Sequence, residues 1–181
     1  MALIVSSLNK SVHDRAVFAC GEPALDEFLR TLAAQHQARR VSRTFVLADS
    51  ARPQHILAYY SLSNSQIARE QLSDSDARSL PRHPVPAVML ARLAVDKTQQ
   101  GKRYGHWMLM DAIKRCALVG QQSGVYALLV DAKHEVALRF YQRFGFCAVA
   151  GRPLTLYLPL ETALKAVQAM TLFAPPLSGR K

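Results

Sequence analysis

Acidic residues are scarce in this chain. Thirteen Asp and Glu stand against 23 Lys and Arg in 181 residues, a formal net charge of +10. Cysteine is rarer still. Cys20, Cys116 and Cys147 are odd in number and far apart, so neither a disulfide framework nor a zinc-ligand spacing is present and no metal site is expected. A reducing cytoplasm is the expected compartment. The histidines include no H-E-x-x-H pair. No apolar run approaches the roughly 20 residues that span a bilayer, so no membrane segment is expected. The stretch from Met1 to Lys10 has no basic residues before its apolar part, so a secretory leader is not expected either. With only 8 Gly and 9 Pro, collagen-like and low-complexity architectures are excluded.

Half of the residues are hydrophobic and a fifth are charged, the composition of an ordinary globular chain. The length suits one domain, expected over 1–170 with a loose tail over 171–181. Sixteen of the 23 cations are Arg. A surplus of this kind says nothing about fold. It favours polyanionic partners: nucleic acid, phosphorylated cofactors or an acidic protein.

Hydrophobic periodicity orders the elements. Residues 3–8 read as a short strand. Leu25, Phe28, Leu29, Leu32 and Ala33 recur at helical spacing, so a helix is expected over 24–40, with Pro23 suited to its first turn. Strands at 44–48 and 55–63 read as a hairpin. Residues 69–84 are polar and carry Pro81 and Pro84, a loop with room for one helical turn. A strand over 85–95, a charged loop and a helix over 104–122 follow. Gly124 is expected to end that helix. The apolar run Val125–Asp131 reads as a strand covered on both faces. A short helix over 134–143, strands at 147–150 and 154–158, and a helix over 160–170 complete the order. The pattern predicts a mixed α/β (α+β) fold: a central, mostly antiparallel twisted sheet with helices on both faces.

One junction carries chemistry. A strand ending Leu90-Ala-Arg-Leu-Ala-Val-Asp96 feeds the loop Gln99-Gln-Gly-Lys-Arg-Tyr-Gly105, which opens a helix. Helix N-termini carry unpaired N–H groups and partial positive charge, so they receive phosphates. A plain strand–helix connection with surface charges would look similar in isolation.

The residues downstream weigh against that plain reading. Ala137-Leu-Arg-Phe140-Tyr141-Gln-Arg-Phe144-Gly145-Phe146 resembles the A-x-x-F-Y-x-x-x-G-F signature of the GNAT superfamily of N-acetyltransferases. Gln100 to Gly105 resembles that superfamily's Q/R-x-x-G-x-G/A loop. Within it, Leu25-Asp26, Tyr59-Tyr60-Ser61-Leu62, Asp111-Ala112 and Val130-Asp131-Ala132-Lys133 resemble the acetyltransferase toxins of type II toxin–antitoxin systems, over about residues 5 to 160. The chain departs from the pattern at Arg103, where the loop usually has glycine, a residue that permits torsions others resist. Such a side chain either distorts the loop or keeps its path and aims a guanidinium at phosphate or RNA.

The resemblance implies acetyl transfer from acetyl-CoA to the free amine of aminoacyl-tRNA, which stops translation. It also implies a ribbon-helix-helix antitoxin and a homodimer. Cofactor contacts are implied at Leu93, Ala94 and Val95, at Gln100, Gly101, Lys102, Arg103, Tyr104, Gly105 and His106, and at Ala132 and Phe140. Tyr141 is the implied general acid for the leaving thiolate, since a phenol with pKa about 10 is close to an alkyl thiol. Its alternative is core packing beside Phe140. Arg39, Arg40, Arg43, Arg78, Arg82 and Arg92 are the candidates for RNA phosphates; the bland alternative for the first cluster is a solvated helix end. Two other functions stay open at this point. One is a GNAT enzyme of small amines or protein N-termini, and the other a homologue with a weakened cofactor loop that binds RNA or a partner.

Overall fold

The computed structural model describes residues 2–172. Strands β1 (Leu3–Ser7), β2 (Arg43–Asp49), β3 (Ala58–Ile67), β4 (Val85–Val95), β5 (Ala127–Asp131), β6 (Cys147–Val149) and β7 (Arg152–Pro159) form one sheet. Its order is β1-β2-β3-β4-β5-β7-β6. Every neighbouring pair is antiparallel except β4 and β5. The expected mixed architecture and the β2–β3 hairpin are both present. β3 starts at Ala58 rather than at 55, because His55 is held by a lone bridge to Asp14.

The helices are α1 (Pro23–Glu27), α2 (Ala33–Ala38), α3 (Asp74–Ala77), α4 (Tyr104–Gly120), α5 (Glu135–Gln142) and α6 (Leu160–Leu172). The polar loop, expected to hold one helical turn, holds two: a 3-10 turn over Arg69–Gln71 and α3, which Ser73 caps. α4 ends at Gly120, before Gly124. Residues 171 and 172 continue α6, and 173–181, the rest of the expected tail, lie outside the described residues.

The expected helix over 24–40 is interrupted. A π-helical turn, Phe28–Leu32, separates α1 from α2. The extra residue in that turn turns two consecutive side chains inward, leaving Phe28 and Leu29 at 2% and 0% exposure. α2 ends in a Schellman pattern: Arg40 N–H donates to Gln37 O and Val41 N–H to His36 O. Arg40 occupies the left-handed position of that motif, at φ 59°.

Alternation along the strands sends side chains to two layers. On β2, Phe45 and Leu47 join the cluster under α4, while Val46 joins Phe28, Leu29 and Ala33 beneath α1 and α2. A third cluster around Leu129 and Tyr157 fills the end of the sheet near α3.

The site is made by a parting of strands. β4 and β5 pair from Ala87–Ala127 to Leu90–Val130 and no further. There β4 is bulged: Leu62 pairs with Leu90 and Ser61 with Arg92, leaving Ala91 without a partner on β3. A bulge bends and twists its strand. β4 runs on to Val95 beside β3 only, and no strand pairs with the edge that faced β5, where Val95 O is taken by the Gln100 side chain.

Candidate active site

A cavity of about 220 Å³ occupies the parting, walled by Leu90 to Val95 on one side and by Asp131, Lys133, His134, Ala137 and Tyr141 on the other. Cys20, Glu22 and Leu25, from the chain entering α1, close its third side. A second cavity of about 820 Å³ adjoins it through Val95 and Gln100, and is lined by Gly101, Arg103, Tyr104, Gly105, His106, Phe140 and Arg143. Together they form one continuous groove from the free strand edge to the start of α4.

Side-chain hydrogen bonds fix the third wall. Asp96 follows β4 and is buried. Its carboxylate accepts from Ala19 N–H (3.1 Å), Thr98 N–H (2.9 Å) and Thr98 Oγ1 (2.6 Å). Burial alone would raise its pKa, but these donors and nearby His55 outweigh it, and the net shift is downward. Gln100 Nε2 donates to Cys20 O (2.9 Å) and Val95 O (3.2 Å). Segment 19–20 is thereby tied to the end of β4.

Arg103 takes up a backbone conformation that glycine favours. This residue stands at φ 63° and ψ 18°, left-handed, as the N-cap of α4, and no side chain caps the helix. The first N–H groups of α4 have no intrahelical partner. Gly101 is also left-handed, at φ 81°.

Tyr141 has two surroundings. Its ring packs edge-on to Phe140 (5.2 Å between centroids) and Phe146 (5.5 Å). The residue lines the parting, and among the described residues its hydroxyl has no hydrogen-bond partner. Burial raises its pKa above the ordinary phenol value, so it holds its proton at neutral pH. Cys20 is pushed up to about 11, first by burial and then by Asp26. Thiolate is therefore scarce, and an acyl-cysteine relay has no activated nucleophile here.

An Acetyltransferase (GNAT) domain model matches residues 42–148. A tRNA-acetylating toxin of Mycobacterium tuberculosis is 36% identical over 150 residues, which cover 83% of this chain and 88% of that protein. The chain belongs to the GNAT acetyltransferases. Among solved structures, AtaT complexed with acetyl-methionyl-tRNAfMet superposes with a TM-score of 0.84 at 28% identity, over 94% of this chain and 99% of that one. An AtaT mutant bound to acetyl-CoA and the C-terminus of its antitoxin AtaR superposes with a TM-score of 0.76 at 25% identity, over 93% and 98%.

In this GNAT chain, the expected cofactor residues converge on the groove with two exceptions. Lys102 does not line either cavity, and its ammonium donates to Oε1 of Gln99, a residue of the groove wall, at 2.8 Å. Ala132 is buried in the main core, its N–H bonded to Leu154 O. The six expected RNA-binding arginines divide. Arg92 lies in the parting, its guanidinium 3.5 Å from the Phe28 ring centroid. Phe28 contacts His36, and Arg39 and Arg40 follow at the exposed end of that helix. Arg43 opens β2 and turns toward α4, where it lines a groove with Arg115. Arg78 and Arg82 precede Val85, at the far end of β4. At about 3.3 Å per residue, Val85 is some 20 Å from Ala91, so these two do not join Arg92.

Sequence reasoning assigned no role to Glu22, Lys133 or His134. His134 Nδ1 accepts from Ala137 N–H to cap α5, and its Nε2 lies 3.7 Å from Glu22 Oε1. The only signal was their position, beside Pro23 at one helix start and two residues after β5.

Proposed function

We propose that this GNAT chain is a toxin that transfers acetyl from acetyl-CoA to the α-amine of aminoacyl-tRNA. The observation that carries the reading is the free edge of β4 from Ala91 to Val95 facing Tyr141 across the strand parting. Such an edge accepts an extended amide chain as an added strand. The groove leads on to the uncapped start of α4, which suits a diphosphate. The residues present thus fit acetyl-CoA, which supplies the acetyl group as a thioester.

The chain's own groups then have distinct tasks. Backbone N–H groups of the 101–105 loop hold phosphate oxygens, and those at Leu93 to Val95 hold the amide arm. An N–H of the same free edge donates to the carbonyl oxygen as negative charge develops on it. As the C–N bond forms and the C–S bond breaks, Tyr141 Oη gives its proton to the departing sulfur, and the proton lost by the new amide nitrogen returns through solvent to restore the phenol. Its raised pKa moves it away from the balance expected of an ordinary phenol. A thiolate in the same poorly solvated cleft is also more basic, so burial moves both groups in the same direction. No general base is needed: an α-amino group with pKa near 8 is roughly one-tenth neutral at pH 7. Arg92, Arg39 and Arg40, on the α1–α2 face of the sheet, engage tRNA phosphates in this reading, and Arg43, on the α4 face, does not join them.

The reading includes one acetyltransferase domain over 1–170, a homodimer and a ribbon-helix-helix antitoxin. An enzyme of aminoacyl-tRNA works in the cytoplasm. Labelled acetyl-CoA supplied with charged tRNA, deacylated tRNA, small amines and peptides tests the substrate. Label is expected only on charged tRNA, at the α-amine. Equal labelling of peptides or small amines would refute it.

A further inference from the structure

Two guanidiniums and an imidazole face one cavity that holds no carboxylate. Arg103, His106 and Arg143 line the space beside the loop, and neither Asp nor Glu is among the lining residues. Among the described residues, Arg103 and Arg143 form no ion pair and no side-chain hydrogen bond. Cations gathered without acids repel one another until an anion arrives.

These groups come from two elements locked together. Arg103 precedes α4 and Arg143 follows α5. The His106 and Phe144 rings pack 4.9 Å apart. Gly105 lies against Phe140 so closely that a Cβ there would be 3.9 Å from the ring. The backbone at Arg143, next to Phe144, is therefore fixed beside the loop, while its exposed guanidinium is left to reach an anion there. A diphosphate on the loop N–H groups leaves Arg143 unused.

We infer that Arg143, with His106 beside it, forms a second anion seat that takes the monoester phosphate on the ribose of coenzyme A. The inference rests on the acetyl-CoA reading above. A monoester carries more charge than a diphosphate linkage of equal size, and a guanidinium fork matches its oxygens. The seat makes the enzyme selective for coenzyme A over the same molecule lacking that phosphate.

Calorimetric titration of the full chain with CoA and with dephospho-CoA, at one ionic strength, tests this. The unmodified protein is expected to bind CoA about tenfold tighter, the effect of one charge-assisted contact. Arg143→Gln should bring CoA to the affinity of dephospho-CoA and leave dephospho-CoA unchanged. Arg139→Gln, one turn earlier on α5 and outside the cavity, should keep the tenfold preference. Equal binding of the two ligands by the unmodified protein, or a preference that survives Arg143→Gln, overturns the inference alone. If Arg143→Gln weakens charged tRNA while the preference persists, the seat serves RNA and the inference is wrong. No binding of either ligand at millimolar concentration overturns the acetyl-CoA reading, and the inference with it.

Discussion

Tyr60 Oη donates a 2.6 Å hydrogen bond to Oδ2 of Asp111, the oxygen that also accepts from Arg115 Nε at 2.8 Å. Arg115 in turn lies over the Phe45 ring, 3.9 Å from its centroid. The neighbouring Tyr59 points to the opposite face and donates to Leu25 O at 2.7 Å. Two consecutive tyrosines of β3 thus fasten α4 on one side of the sheet and α1 on the other. Tyr60→Phe is expected to lower the unfolding free energy by about 1.5–3 kcal/mol, the range for a hydrogen bond to a charged group. Tyr59→Phe should lower it by about 1 kcal/mol. Urea denaturation of both single variants and the double variant checks the values. Because the bonds lie on opposite faces, the losses should add; a large coupling term would contradict this picture.

Tyr141→Phe separates the acid from the core residue. The ring contacts with Phe140 and Phe146 survive the change, and the lost hydroxyl has no partner in the protein. Stability should therefore stay within about 0.5 kcal/mol. Turnover on charged tRNA should fall by about 10² or more, with acetyl-CoA affinity unchanged. A variant retaining near-parental kcat would refute the acid role.

Arg40 and Arg103 are the two non-glycine residues with left-handed backbone among the described residues, at φ 59° and 63°. Holding an L-residue there is strained by about 1–2 kcal/mol. Arg103→Gly should thus be more stable than Arg103→Ala by about 1 kcal/mol, a comparison that cancels the lost side chain. The same ordering is expected at Arg40. Thermal or urea unfolding reads both. Alanine variants as stable as the glycine ones would show that the loops relax.

Charge reversal at the end of α2 should divide substrate from cofactor. Arg39 and Arg40 are exposed and belong to neither cavity. Arg39→Glu combined with Arg40→Glu is expected to abolish tRNA acetylation and leave acetyl-CoA titrations unaltered. The parental enzyme's tRNA affinity should fall steeply with added salt, with a shallower slope in single variants. Unchanged tRNA activity in the double variant would remove this cluster from the RNA surface.

Stability should decline in two stages on acidification. His13 is buried, accepts from Asn9 N–H at 3.0 Å and has its pKa lowered by that burial. Its folded pKa lies below its unfolded one, so its contribution is complete above about pH 6.5 and is lost as pH falls through the folded value. Asp96 follows the same sign lower down: its contribution is complete above about pH 4 and lost below. Melting temperatures from pH 8 to pH 3 check this. His13→Gln should remove the decline that begins below about pH 6.5, and Asp96→Asn the one below about pH 4. Profiles identical to the parent would contradict the assignment.

Local patterns determined a good deal of this protein. The order of strands and helices was legible, because hydrophobic period reports which side of an element is buried. β4 was expected over 85–95 and is Val85–Val95, and α4 was expected to begin at residue 104 and does. The loop from Gln100 to Gly105 and Tyr141 stood out because chemistry near a phosphate or a leaving thiolate demands particular residue types. Other features were not legible, since they depend on which residues meet. Nothing in Leu90-Ala91-Arg92 announces a bulge; it arises where β4 keeps pairing with β3 while leaving β5. The π-turn at Phe28 reflects one cluster beneath α1 and α2 taking in both Phe28 and Leu29. Arg78, Arg82 and Arg92 are near in sequence, but an extended strand carries Arg92 to the cleft and leaves the others behind. Arg143 was one more cation in a surplus of +10 until α5 docked on α4 and set it beside the loop. Composition counts charges, and only tertiary packing decides which of them share a cavity.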